Sequence, residues 1–299
     1  MGKKSETIDP RQQALFLLPE KSISEPKVRR IQRPIWTENK ARLIERYLYY
    51  FVMITKHGTY IDAFAGPQEP DKPEMWAAKL VLESKPKWFR HFYLFEQNKN
   101  KIKQLSILKD SLPELKEADS KREVAIFSGD SNSGICKLLA SNCIGQKEAT
   151  FCLLDQRTFE CNWSTIEALA RYKTEGRKIE LFYFLANSWL DRALAAQKDV
   201  AVLERWWGRG DWSKLRQMKT QGRMEEFVKR FKSELGYESV KPWPIYERKD
   251  GGNIMYYMIH ATDHPNAPEL MSRAYEKAVL PKEDFEQLGF TFDVMAASV

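Results

Sequence analysis

Long apolar runs are missing from this sequence. No stretch approaches the ~18 consecutive apolar residues that a membrane-spanning helix needs. The N-terminus, M-G-K-K-S-E-T-I-D-P, is basic, but no apolar signal core follows it. Glu6 breaks the N-myristoylation pattern. A cytoplasmic protein with no membrane contact is the expectation. Cysteine is scarce as well. The four, Cys136, Cys143, Cys152 and Cys161, form no C-x-x-C pair, and structural zinc sites usually need such close pairs. With three of them placed in buried helix or strand, they read as reduced core thiols, and no metal is assigned. Gly and Pro, 14 each among 299 residues, are too few for a fibrous or low-complexity chain.

What is present is apolar and aromatic mass: 43% hydrophobic residues, with 16 Phe, 12 Tyr and 9 Trp, enough for a substantial core. The net charge of +7 is unevenly placed. Residues 1–35 carry +4, residues 205–232 carry +6, and the rest of the chain carries −3. Positive charge concentrated in two segments suggests a polyanionic partner, against the plainer reading of solvated helix faces.

Residues 1–35, interrupted by Pro10, Pro19 and Pro26, read as a basic N-terminal arm with one short helix around 13–18. Helical patterning opens at 36–51, where Thr37 can cap and Leu43, Ile44, Tyr47, Leu48 and Phe51 make one apolar stripe. Short apolar runs at 59–64, 91–96, 124–127, 151–155 and 179–185 then alternate with helical candidates near 74–84, 98–109, 132–140, 163–173 and 188–197. That rhythm predicts a parallel sheet covered on both faces, a doubly wound α/β core over 36–198. A basic, Trp-rich helical insertion follows at 199–239. Residues 240–279 read as a sheet-completing hairpin around Asp250-Gly251 and a last helix, with Pro242 and Pro244 placing the first hairpin strand at a sheet edge. Residues 280–299 read as a tail. Five strands alternating with helices and closed by a hairpin is the arrangement of nucleotide-binding methyltransferase folds.

Four of the five core strands end in, or are closely followed by, a carboxylate: Asp62, Glu96, Asp130 and Asp155. Buried carboxylates are costly unless paired or facing a site, and ligands of such sheets bind at the carboxyl ends of the strands. A carboxylate after strand two can accept from both ribose hydroxyls. Asp130 can accept from an adenine amine, and Ala65 and Gly66 let backbone approach a ligand closely. The competing readings are a helix N-cap for Asp130 or Glu96 and a loop pin for Asp62.

These residues resemble a known family. The W-T-E-N-K helix, Y-I-D-A-F-A-G-P, F-E-Q-N, L-L-D-Q-R-T-F-E-C-N-W-S-T-I-E-A-L, I-E-L-F-Y-F-L-A-N-S-W-L-D-R-A-L and N-I-M-Y-Y-M-I-H-A-T-D-H-P are together similar to the three-Cys-motif partner proteins, over about residues 36–277. The resemblance implies a class I methyltransferase-like Rossmann fold with S-adenosylmethionine as cofactor. It also implies a three-cysteine, radical-S-adenosylmethionine-like partner protein. Carried over, the cofactor loop is Asp62, Ala63, Phe64, Ala65, Gly66 and Pro67, with Glu96 on the ribose and Asp130 on adenine. The motif after strand four is Asp155, Gln156, Arg157 and Thr158.

The departures narrow the chemistry. Gln68 stands where many such loops have a second glycine, and D-Q-R-T replaces the D-P-P-Y type of base-amine enzymes. In a methyltransferase Asp155 would accept a proton and Arg157 would hold an anionic group, the alternative being an Asp155–Arg157 ion pair bracing the loop. Cys161 is a remote nucleophile candidate, and His260 and His264 read as capping or surface residues. In the insertion, Arg205, Trp206, Trp207, Arg209, Trp212, Lys214, Arg216 and Lys219 suit nucleic acid, the cations on phosphates and the tryptophans on bases. The same composition suits docking of the three-cysteine partner. Two functions follow: a methyltransferase acting on nucleic acid, or a non-catalytic subunit that docks the partner and nucleic acid on the same scaffold.

Overall fold

A computed structural model describes residues 39–115, 120–248 and 251–278. The expected N-terminal arm, the Thr37 cap, the turn residues Lys249 and Asp250, and the 280–299 tail lie outside the described residues. The described residues fall within one compact unit.

Helix α1 (Lys40–Thr55) is amphipathic, and its expected stripe of Leu43, Ile44, Tyr47, Leu48 and Phe51 is buried. The core then alternates as the sequence pattern implies. β1 (Gly58–Asp62) and β2 (Phe89–Glu96) flank α2 (Ala77–Glu83). α3 (Lys99–Ser111) leads to β3 (Glu123–Ser128), α4 (Ser131–Ala140) to β4 (Thr150–Leu154), and α5 (Trp163–Arg171) to β5 (Glu180–Ala186). Four more helices follow: α6 (Leu190–Ala196), α7 (Val200–Trp207), α8 (Lys214–Gln217) and α9 (Thr220–Ser233). The antiparallel hairpin of β6 (Ser239–Arg248) and β7 (Gly251–Thr262) and helix α10 (Ala267–Lys277) complete the order.

One seven-stranded sheet results, in the order β3-β2-β1-β4-β5-β7-β6. β1 pairs parallel with both β2 and β4, and β7 runs antiparallel to β5. This is a Rossmann-like α/β fold with a mixed sheet. β1, β4 and β5 are buried along their whole length because helices cover both faces. β6 is at the edge, where the missing N–H of Pro242 and Pro244 breaks no ladder. The order reverses between β1 and β4, so the crevice outside their carboxyl ends is the expected ligand position.

The two faces have different fillings. Under α1, Tyr47, Tyr60, Phe151 and Phe182 pack as aromatic neighbours, with Tyr47–Phe182 centroids at 4.9 Å and Phe151–Phe182 at 4.7 Å. On the opposite face the alternate strand residues Ile61, Cys152, Leu181 and Tyr183 join one core with Trp163, Trp206, Trp207, Phe227 and Phe231. The helical segment 199–239 is therefore part of the sheet's cover. The Arg230 guanidinium lies between the Trp163 and Trp207 rings, 3.7 and 4.1 Å from their centroids. Gly208 closes α7 at φ +78°, and a Cβ there would meet the Trp163 ring at 2.5 Å, so only glycine fits.

Candidate functional site

The loop after β1 is built by backbone and carboxylate together. Asp62 Oδ1 accepts from the Phe64 N–H at 3.0 Å, and Oδ2 accepts from the Tyr60 hydroxyl at 2.8 Å. Asp62 is 1% exposed. Burial pushes its carboxyl up to about 7, against those two hydrogen bonds, with Asp155 and Glu96 adding to the rise. Asp62 thus acts as a pin for the loop, one of the two roles open to it from sequence.

Glu96, at the carboxyl end of β2, gathers three backbone amides. Oε1 accepts from Gln97 and Asn98 at 2.9 and 2.8 Å, and Oε2 accepts from Gly66 at 3.2 Å. It couples the β1 loop to the β2 terminus. A Cβ on Gly66 would stand 2.3 Å from Glu96 Oε2, which is why that loop position is glycine. Pro67 is buried beside it.

Asp130 caps α4, accepting from the Ser133 N–H at 2.9 Å and the Asn132 amide at 3.1 Å. Partial burial raises its carboxyl, but hydrogen bonds from Ser133 and Asn132 together win and hold it below the usual carboxylate range. Asn132 ties the region together. Its Nδ2 donates to the Glu160 carbonyl, and its Oδ1 accepts from the Asn162 N–H and the Thr165 hydroxyl, each at 2.8 Å.

Phe64, Glu96, Asp130, Asn132, Phe159 and Arg205 line one open cleft of about 420 Å³. Its size lies within the ordinary range of small-ligand sites. Sequence reasoning brought Phe64, Glu96 and Asp130 together here. It missed Asn132 and Phe159, which no acid-at-strand-end argument reaches. Arg205, expected to contact nucleic acid, is exposed on α7 and stands on the cleft wall.

Asp155 lies apart, in a compartment with Asp62, Ala65, Gly66, Gln68, Trp76 and Lys40 that has only about 10 Å³ of free space. The Lys40 ammonium stands 2.7 Å from both Asp155 oxygens, and Gln68 donates to Oδ2 at 3.0 Å. Trp76 Nε1 donates to the Ala65 carbonyl at 2.6 Å and closes the side. The Asp155–Arg157 pair considered from sequence is not formed. Arg157 is exposed, and a lysine 115 positions away from Asp155 takes its place. Lys40 was available in the sequence as a cation one turn before the apolar pair Leu43–Ile44, on the helix's buried side.

The structure corrects the expected tryptophan stacking, the expected burial of a third cysteine and the capping or surface reading of His260. Trp206 and Trp207 are fully buried and Trp212 is 8% exposed, so these rings are core and offer bases no stacking face. Arg209 pairs with Glu234 at 3.0 Å, and Lys214 pairs with Asp211 and Glu226 at 3.0 Å each. Arg216 is exposed, lies 4.8 Å over Trp212 and donates to the Leu194 carbonyl, while Lys219 is exposed. Only Cys152 and Cys161 are buried; Cys136 and Cys143 are exposed, and all four are free. Cys161 is buried, and burial pushes its thiol up, which disfavours the nucleophilic thiolate. His260 is buried, 2.9 Å from Glu180. His264, half-buried, has its ring nitrogen accepting from the Asn266 N–H. Among the described residues no group of three or more His, Cys, Asp or Glu side chains could hold a metal ion, and no helix is long and apolar enough to cross a membrane.

No protein-family model matches the chain, and no curated protein matches it. Among solved structures, protein LPL1258 from Legionella pneumophila str. Philadelphia 1, described as family-model DUF519, is similar with a TM-score of 0.45 and 11% identity. That match covers 81% of this chain and 91% of the other.

Proposed function

We propose that this chain binds a nucleoside-containing cofactor in the open cleft and is a methyltransferase-like protein whose cofactor is S-adenosylmethionine. The observation that carries the reading is the cleft at the switch point, with Glu96 at the β2 terminus and Asp130 after β3 on its wall and Phe64 and Phe159 as apolar surfaces. A nucleoside needs that combination: ring faces for the base, and acceptors for its amine and the ribose hydroxyls. The hairpin-closed sheet and the motif resemblance to the three-Cys-motif partner proteins support the same choice.

The fit is partial. The open cleft suits the nucleoside. The compartment by Asp62, Gly66 and Asp155, where the resemblance puts the rest of the cofactor, is filled by the buried Lys40, with the exposed Gln68 donating to Asp155 at its rim. Bound S-adenosylmethionine supplies an activated methyl group, but with this compartment closed the geometry supports nucleoside binding in the open cleft rather than transfer. That closure favours a second reading, a non-catalytic subunit docking a three-cysteine partner. A nucleic-acid ligand would rest on the exposed cations Arg205, Lys219, Lys229 and Lys232, without tryptophan stacking.

Crystals soaked with adenosine test the cleft. The expected density lies between Phe64 and Phe159 with the ribose at Glu96; density only elsewhere overturns the assignment. Co-purification with a three-cysteine protein, without methyl transfer to nucleic acid, is the outcome expected of the second reading.

A further inference from the structure

The buried end of Lys40 is held as a ligand would be. Its ammonium meets both oxygens of Asp155 at 2.7 Å. The same nitrogen lies 4.9 Å from the Phe184 ring centroid and 5.2 Å from that of Tyr256. Those rings stand at 86° to one another, and Trp189 packs edge-on at 89° against Tyr256 at 4.8 Å, which braces the Tyr256 ring. Phe184 and Tyr256 come from the adjacent strands β5 and β7, and Asp155 follows β4. Carboxylate plus aromatic faces is the chemistry that recognises organic cations, because ring quadrupoles attract a positive charge without hydrogen bonds. Asp155 and Lys40 also wall the small compartment next to Gly66.

We propose that Asp155, Phe184 and Tyr256 form a binding site for an organic cation, a sulfonium or alkylammonium group, which the Lys40 ammonium occupies in the free protein. The site rests on the nucleoside reading only for the other end of the ligand, since the cage itself is independent of the open cleft. A cationic ligand enters by displacing Lys40 from Asp155. A neutral analogue of the same shape has no charge to offer in exchange.

The test compares S-adenosylmethionine, its neutral-sulfur product S-adenosylhomocysteine, and adenosine, by calorimetry on the full chain and on Lys40→Met, which keeps an apolar stem and removes the charge. The substitution should raise the preference for S-adenosylmethionine over S-adenosylhomocysteine by about tenfold or more while leaving adenosine unchanged. An unchanged or reduced preference overturns the cage. If adenosine binds neither protein, the nucleoside reading fails by itself. The cage is then judged on trimethylsulfonium, which should bind Lys40→Met more tightly than the unsubstituted chain, and equal binding overturns it.

Amine labelling of the unsubstituted chain, read by mass spectrometry, needs no variant to fold. Lys40 should be shielded in the free protein and become labelled in excess trimethylsulfonium or S-adenosylmethionine. Lys40 still shielded in the ligand-saturated protein contradicts the exchange.

Discussion

At the scale of single residues, the carboxylates at the strand ends do two kinds of work. Asp62 and Glu96 shape the loop after β1 by accepting its N–H groups, and only what is left of their hydrogen-bonding capacity can face a ligand. Asp62 gives the sharpest pH prediction. Its folded-state value of about 7 lies above the ordinary carboxylate value of 3.8, so the folded state binds the proton more tightly than the unfolded chain does. The stability this contributes is full below pH ~4 and is lost as pH rises through about 7, amounting to about 4 kcal/mol at most. Asp62→Asn keeps a neutral group of the same shape. Its denaturant midpoint should therefore stay flatter than that of the parent between pH 4 and 8, and parallel profiles would show that Asp62 is not protonated in the fold. Gly66→Ala is the matching steric test. The added methyl must displace both the Glu96 carboxylate and Lys101, so adenosine affinity should fall at least severalfold in a titration while the chain remains folded.

At the scale of elements, periodicity was the informative signal. The stripe on α1, the five apolar runs and the proline-marked edge strand β6 were legible because each follows from a period or from a missing N–H. The segment 199–239 was legible as helices, but its tryptophans, expected at a binding surface, are core. Its Trp/Arg composition is equally that of an exposed nucleic-acid face and of a core in which guanidinium groups stack on indoles. Local sequence cannot separate the two, because the deciding contacts, Arg230 with Trp163 and Arg223 with Asp191, cross tens of residues. Phe227 is fully buried, 5.3 Å from Trp206 and 5.7 Å from Tyr183. Phe227→Ala should cost about 3–5 kcal/mol in denaturant unfolding, the usual range for emptying a buried aromatic site. A loss of nucleic-acid retention with stability intact would instead make this segment an interaction surface.

At the scale of the whole molecule, the sheet order places the ends of β1, β2, β3 and β4 along one edge, and a single topological reversal turns scattered acids into neighbours. That much was readable, since strand ends converge wherever parallel strands share a sheet. The division of the edge into an open cleft and a filled compartment was not. It depends on where Lys40 reaches from a preceding helix, and on whether the exposed Gln68 turns toward Asp155, which no spacing rule encodes. The open half carries the functional claim, so calorimetric titration of the full chain with adenosine, beside Glu96→Ala, tests the account most directly. One binding event per chain that disappears in Glu96→Ala is the predicted result. No heat of binding, or equal affinity in both proteins, would contradict it.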